Sequence, residues 1–209
     1  VDVRVKNEAI EILPEQKQVL VRRLEDGSEY AERYDKLIYS PGAKAIRPAF
    51  AEKCESIFTL RTVEDTFRLD DFIKDRSPAS AVVVGGGFIG LETAENLAER
   101  GIRVTLVQLE DQVMPPFDYD MACILHAKLR EKGIDLRLSS KVASLRQEGG
   151  GVVAEIEGKG AVRADIALLA VGVVPETELA EKAGLALGMK GAVLVDAHMR
   201  TSVPDIYAV

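Results

Sequence analysis

The sequence contains no tryptophan, only two histidines and two cysteines, and no run of three or more basic residues. Its net charge is -7 and its pI is near 5.1, so the chain lacks the basic surface that neutralises the phosphates of a nucleic acid. The longest apolar stretch, residues 166–174, is too short to cross a bilayer. We therefore expect a cytoplasmic protein that binds neither nucleic acid nor membrane.

The scarce cysteines and histidines also exclude several chemistries. Cys54 and Cys123 form no C-x-x-C pair and have no ligand at metal-binding spacing, which argues against a disulfide framework and a metal site. His126 and His198 have no paired acid or nucleophile, so we expect both at the surface or at its boundary. No catalytic residue is assigned within this chain.

What is present is a globular composition: 47% of the 209 residues are apolar, enough for one large domain or two small ones. The chain opens on Val1 within the alternating pattern VDVRV and stops within the apolar run DIYAV. Both ends therefore indicate an internal portion of a longer protein.

The hydrophobic periodicity changes along the chain. Apolar residues alternate from Val1 to about Arg33, with a hairpin turn at EDGS, which predicts an antiparallel meander. A strand at residues 36–39, a helix through Val63 and Phe67 and a polar linker at residues 77–80 follow. Strands and helices then alternate, which predicts a parallel α/β sheet: strand 81–84, helix 88–100, strand 103–107, helix 118–132 and strand 134–138.

The stretch VVVGGGFIG, residues 82–90, matches the spacing G-x-G-x-x-G between a predicted strand and a predicted helix. In such a motif Gly85 permits the tight turn, Gly87 lets a pyrophosphate approach the backbone, and Gly90 lets the helix lie close to the strand. The helix N-terminus adds free N–H donors. A tight turn without ligand is the alternative.

The stretch GGGVVA, residues 149–154, fits the same spacing and serves as a control. Charged residues precede it and an alternating strand pattern follows it, so we predict a hairpin or loop there. Context therefore selects the glycines at 85–90 as the dinucleotide-binding motif.

The residue at the end of the second strand of such a fold distinguishes NAD from NADP. Gln108 occupies that place, Glu110 and Asp111 follow it, and no Arg or Lys adjoins them in sequence. We therefore predict NADH as the preferred cofactor; the alternative is that Glu110 and Asp111 form a solvated turn.

Residues 82–107, VVVGGGFIGLETAENLAERGIRVTLV, resemble the flavin-dependent pyridine nucleotide-disulfide oxidoreductases, specifically the branch of NADH oxidases and coenzyme A-disulfide reductases. YDKLIYSPGA resembles the exit from the FAD domain, although SPGA replaces the more usual Ala-Thr-Gly turn. LLAVGVVPET resembles the exit from the NAD domain, and RTSVPDIYAV the return to the FAD domain. The likeness covers almost the whole chain.

This resemblance implies a Rossmann-type NAD-binding domain, with a parallel sheet and an antiparallel β-meander, flanked by partial FAD-domain segments. The predicted ranges are 1–77 for a partial FAD-domain segment, 78–196 for the NAD(H)-binding domain and 197–209 for the start of the return to the FAD domain. The implied cofactors are NADH and FAD, the acceptor is a small disulfide or oxygen, and the complete protein is a homodimer. A redox cysteine is expected upstream of Val1.

The resemblance also assigns residues other than the three glycines to the cofactor site, and Ile89 is one of them. Phe88 falls where the family places an aromatic that covers the flavin, or it is an apolar staple. Glu92 falls where the family has a carboxylate near the nicotinamide amide, or it is an acid favoured in the first helical turn. Gly172 matches a turn close to the nicotinamide, or is a plain turn glycine.

On these grounds we predict the NADH-binding portion of a flavin-dependent NADH:disulfide or oxygen oxidoreductase that passes a hydride from NADH to FAD. The alternatives are a ferredoxin-reductase-type flavoenzyme without a redox cysteine and a non-catalytic NADH-binding module. Because this chain holds one credible dinucleotide fingerprint, we expect it to bind NADH and to be catalytically inactive alone.

Overall fold

A computed structural model describes all residues Val1–Val209. The strands are β1 (Asn7–Leu13), β2 (Gln18–Arg23), β3 (Glu29–Arg33), β4 (Leu37–Tyr39), β5 (Ala43–Ala45), β6 (Ile57–Thr59), β7 (Ser80–Val84), β8 (Arg103–Val107), β9 (Asp135–Arg137), β10 (Val142–Glu148), β11 (Gly151–Ile156), β12 (Gly160–Ala164), β13 (Ile166–Leu169), β14 (Val173–Pro175) and β15 (Ile206–Ala208). The helices are α1 (Val63–Arg76), α2 (Phe88–Glu99), α3 (Tyr119–Glu131) and α4 (Glu178–Lys182). None of these helices has the length and apolar character needed to span a bilayer.

A five-stranded sheet has the order β6-β13-β7-β8-β9, and all its neighbouring strands are parallel. The central strand β7 is apolar at nearly every position because both of its faces are buried. Ala81 and Val83 pack with residues of α1, α2 and α3, whereas Val82 and Val84 pack with residues of β10, β11 and β12. The parallel sheet therefore lies between a helical layer and an antiparallel sheet.

The chain divides into two compact units. One unit is Ala45–Val173, which contains the five-stranded sheet. The other combines Val1–Lys44 with Val174–Val209; it contains the antiparallel meander β1-β2-β3 and the parallel pair β4 and β15. These units end at other positions than the predicted domains, and β6 pairs within the sheet although it precedes residue 78. The assignment of residues 1–77, 78–196 and 197–209 to FAD and NAD domains stays a prediction.

The predicted α/β class, with a parallel sheet and an antiparallel meander, is confirmed. The predicted start of the meander at Val1 is wrong, since the first strand begins at Asn7. Val1, Val3 and Val5 are exposed and have no partner strand, because β2 pairs with residues from Asn7 onward and Lys6 adopts a left-handed φ of 55°. An alternating pattern without a neighbouring strand does not make a strand.

Candidate dinucleotide-binding site

A glycine-rich loop joins the end of β7 to the start of α2. Gly85 has a φ of +109°, which L side chains rarely adopt, and a Cβ there would overlap the carbonyl oxygen of Ala170. A Cβ on Gly90 would overlap the carbonyl oxygen of Gly85. These two glycines therefore let the loop cross the end of β13 and let α2 pack directly on the loop.

Gly87 has a different environment. It is the N-cap of α2 with a φ of -82°, and a Cβ built on it would meet no atom within 4 Å. The N–H groups of the first helical turn have no acceptor within the helix, and no acidic side chain lies in that turn. The space beside Gly87 therefore faces an uncompensated positive helix end that suits an anionic group such as a pyrophosphate.

A cavity of about 500 Å³ lies at the carboxyl ends of β7, β8 and β13. The chain proceeds from β7 to β8 and β9 on one side and returns to β13 on the other, so the cavity lies at the switch point where ligands bind in open α/β sheets. Pro48 and Phe50, which sequence reasoning did not assign, contribute to its wall. Five of the predicted site residues line it: Gly85, Gly87, Gln108, Glu110 and Gly172.

Gln108 is buried below the glycine loop. Its side-chain Oε1 accepts a hydrogen bond of 2.8 Å from the N–H of Gly86. The amide therefore fixes the loop, and its Nε2 is the group left for a ligand. Glu110 is exposed on the cavity rim, and its backbone oxygen accepts from the N–H of Ser139 at 2.8 Å.

Gly172 lines the cavity from the end of β13. It has a φ of +106°, and its carbonyl oxygen accepts a hydrogen bond of 3.0 Å from the N–H of Ile46. A left-handed turn at this point brings backbone, without a side chain, to the cavity wall. Both the nicotinamide role and the plain turn role predicted for Gly172 are compatible with this placement.

The remaining predicted residues lie outside the cavity lining. Phe88 and Ile89 are exposed in the first turn of α2, whereas Gly90 in the same turn is buried. Glu92 lines a separate groove between α1 and α2. It follows the first turn of the helix, which holds no acidic residue, so the interpretation of Glu92 as a first-turn acid is wrong.

Lys141 lines the same cavity as Gln108 and Glu110, although it is distant from both in sequence. The N–H of Ser140 donates to the backbone oxygen of Gln108 at 2.9 Å, which fastens the segment after β9 to the segment after β8. A lysine therefore lies beside this strand end in space, although none adjoins it in sequence. The Nζ of Lys141 pairs with Glu157 at 2.9 Å, and both side chains are largely exposed.

The control glycines occupy a different kind of place. Gly149 and Gly150 form the turn between β10 and β11, both with positive φ, and β11 continues antiparallel to β10. The predicted hairpin is confirmed. The two cysteines are unpaired, with Cys54 half-buried and Cys123 exposed.

Comparisons with known proteins agree with this geometry. A family model described as pyridine nucleotide-disulphide oxidoreductase matches residues 1–209. The coenzyme A disulfide reductase of Staphylococcus aureus (strain JH9) is 34% identical over the whole chain, which spans 46% of that protein. The chain thus covers about half the length of the curated relatives that it matches.

Two solved structures superpose closely on the chain. The reduced CoADR-RHD of Bacillus anthracis has a TM-score of 0.93 and 42% identity, covering 100% of this chain and 38% of that one. The water-forming NADH oxidase of Lactobacillus brevis, bound to NADH, has a TM-score of 0.86 and 29% identity, covering 97% of this chain and 44% of that one. The branch predicted from the sequence, NADH oxidases and coenzyme A-disulfide reductases, is confirmed among its neighbours.

Proposed function

Because the chain belongs to the pyridine nucleotide-disulphide oxidoreductase family, we propose that the cavity beside Gly87 binds NADH and that the complete protein passes a hydride from NADH to FAD. The observation that carries the proposal is the open space at Gly87, which lies at the N-terminus of α2 and at the switch point of the sheet. A side chain on Gly87 would occupy this space, so the loop fits the backbone approach that a pyrophosphate needs.

The roles within this chain follow from the placement of its residues. The first-turn N–H groups of α2 bind the pyrophosphate, Gln108 and Glu110 face the adenosine ribose, and Gly172 lies toward the nicotinamide. FAD supplies the hydride-accepting chemistry when it is bound. Residues 1–209 hold no second glycine motif between a strand and a helix, so we assign no residue of this chain to the FAD pyrophosphate.

Phe88, Ile89 and Glu92 complete the proposed cofactor region outside the cavity. Phe88 and Ile89 leave exposed apolar surface beside the glycine loop, which suits contact with the flat ring of the flavin. We propose a small disulfide or oxygen as the acceptor, and a homodimer as the complete protein. The relatives named above, a coenzyme A disulfide reductase and a water-forming NADH oxidase, support that range of acceptors.

Calorimetric titration of NADH into the purified chain tests the binding step, and we expect a single site. Rapid-mixing absorbance measurements on the complete protein test hydride transfer, through bleaching of the flavin band upon addition of NADH. Binding without bleaching would instead favour the non-catalytic module. Bleaching followed by electron transfer only to a ferredoxin would favour the reductase type.

We predict that NADH binds more tightly than NADPH, because the carboxylate of Glu110 on the cavity rim repels a 2′-phosphate. The variant Glu110→Arg should improve the NADPH affinity relative to NADH by about tenfold, the equivalent of roughly 1.4 kcal/mol. Paired titrations of both nucleotides at moderate salt measure this ratio. A wild-type preference for NADPH would contradict the assignment of Glu110.

A variant of Lys141 removes a positive charge from the same cavity, the opposite of the change made by Glu110→Arg. Its ion pair with Glu157 is exposed and therefore weak, so its amine is free to exchange that partner for a phosphate. We expect Lys141→Met to weaken NADPH binding and leave NADH binding nearly unchanged. Lys128→Met is a matched control, because the exposed Lys128 pairs with Glu131 at 3.0 Å and does not line the cavity.

A further inference from the structure

His126 lies in the interior, contrary to the surface position expected from its sequence. The residue is 4% exposed on α3, and its Nε2 accepts a hydrogen bond of 3.1 Å from the backbone N–H of Val113. An imidazole accepts through Nε2 only when that nitrogen carries no proton. The contact therefore requires a neutral ring with its proton on Nδ1.

Val113 and Met114, the segment held by His126, pack against the glycine loop. Val113 is fully buried, and a Cβ on Gly86 would lie 3.0 Å from its Cγ1. The next residue, Met114, adopts a left-handed φ of 50° and donates its N–H to the carbonyl oxygen of Gly86 at 2.8 Å. The N–H of Gly86 is held by Gln108, so both polar backbone groups of Gly86 are bound.

We propose that His126 is a positioning residue for dinucleotide binding: its neutral imidazole holds residues 113–114 against Gly86 and thereby fixes the loop in the shape that receives the pyrophosphate. The inference rests on the proposed NADH-binding function. Protonation would place an N–H of His126 against the N–H of Val113 and a charge in a buried site. The segment would then separate from Gly86.

The surroundings of His126 favour the neutral form. Burial lowers the pKa of His126 below its usual value of 6.5, and the positive charge of Arg130 lowers it further. Asp111 on the preceding segment raises the pKa, and the ring of Tyr119 contacts the imidazole edge-on. Because the pKa is lower in the folded protein, the stabilisation is present above pH 6.5 and is lost as the pH falls through the folded-state pKa.

The test compares NAD⁺ affinity by calorimetry at pH 8 and at a pH below the transition of the His126 ring, which an NMR titration of that ring locates. NAD⁺ is used because it withstands acid better than NADH. The wild-type chain should bind about tenfold more weakly once the His126 ring is protonated, the expected effect of one lost buried hydrogen bond. In His126→Gln an amide oxygen can accept from Val113 at every pH, so its affinity should stay constant. In His126→Leu the affinity should be low at both pH values.

A second readout separates positioning from general stability. In a ¹⁵N-labelled chain, the amide resonance of Gly86 should move with pH in parallel with the ring of His126, and should stay still in His126→Gln. A wild-type affinity that does not change while His126 titrates would overturn the inference and leave the proposed function standing. Absence of NAD⁺ binding at pH 8 would overturn both.

Discussion

Replacing Gly87 by valine is expected to abolish nucleotide binding and to leave the fold intact. The backbone at Gly87 has a φ of -82°, which any L residue adopts, and a Cβ there meets no protein atom within 4 Å. The valine side chain would instead fill the space proposed for the pyrophosphate. We expect the NADH affinity to fall by at least about a hundredfold, or roughly 2.7 kcal/mol.

The stability of Gly87→Val should fall by only about 1 kcal/mol, because valine is a poorer N-cap than glycine and the added Cβ meets no protein atom. Thermal unfolding followed by circular dichroism measures the fold, and calorimetric titration of NADH measures the site. Gly87→Ala is the graded companion, with a smaller loss of affinity. Equal NADH affinity in Gly87→Val and wild type would remove the pyrophosphate from this loop.

Replacing Gly90 by alanine should have the opposite pattern, a large loss of stability at a position away from the ligand. Its Cβ would overlap the carbonyl oxygen of Gly85 and press on the Cβ of Ala170 at 3.3 Å. These neighbours are backbone and a short side chain, so α2 itself must shift. We expect a loss of about 3 kcal/mol, typical of severe overpacking, and a fall in Tm of about 6 to 12 °C.

Gly87→Ala is the matched control for Gly90→Ala, because it adds the same methyl group to the same loop-helix junction three residues earlier. Denaturant unfolding of both variants measures the difference in the free energy of unfolding. Equal stability of the two variants would show that α2 can withdraw from β13 without cost, contrary to the close packing described here.

Local sequence patterns were sufficient for the central β7-α2-β8 unit. The strand predicted at 103–107 matches β8, and the helix predicted at 88–100 differs from α2 by one residue. The pattern succeeds there because both faces of β7 are buried and the glycines mark the point where the strand ends and the helix begins. It fails at Val1, Val3 and Val5, where alternation is present and a pairing strand is not.

The sequence could not reveal contacts between residues far apart in the chain. Lys141 reaches the cavity because backbone hydrogen bonds join the segments after β8 and β9. His126 is buried because Val113 offers it a donor, which no helical periodicity encodes. Glu92 was misplaced for a local reason, because whether it lies in the first turn of α2 depends on the residue at which the helix begins. Tertiary contacts therefore decide the details of the site.

The double anchoring of Gly86 has a kinetic consequence. Its N–H is held by Gln108 and its carbonyl oxygen by Met114, so the conformational entropy of the loop is lost when the chain folds. Little further entropy is then lost when a ligand binds. A site already shaped in the free protein needs no slow rearrangement after collision. Association with NADH should follow a single exponential whose rate constant rises linearly with nucleotide concentration.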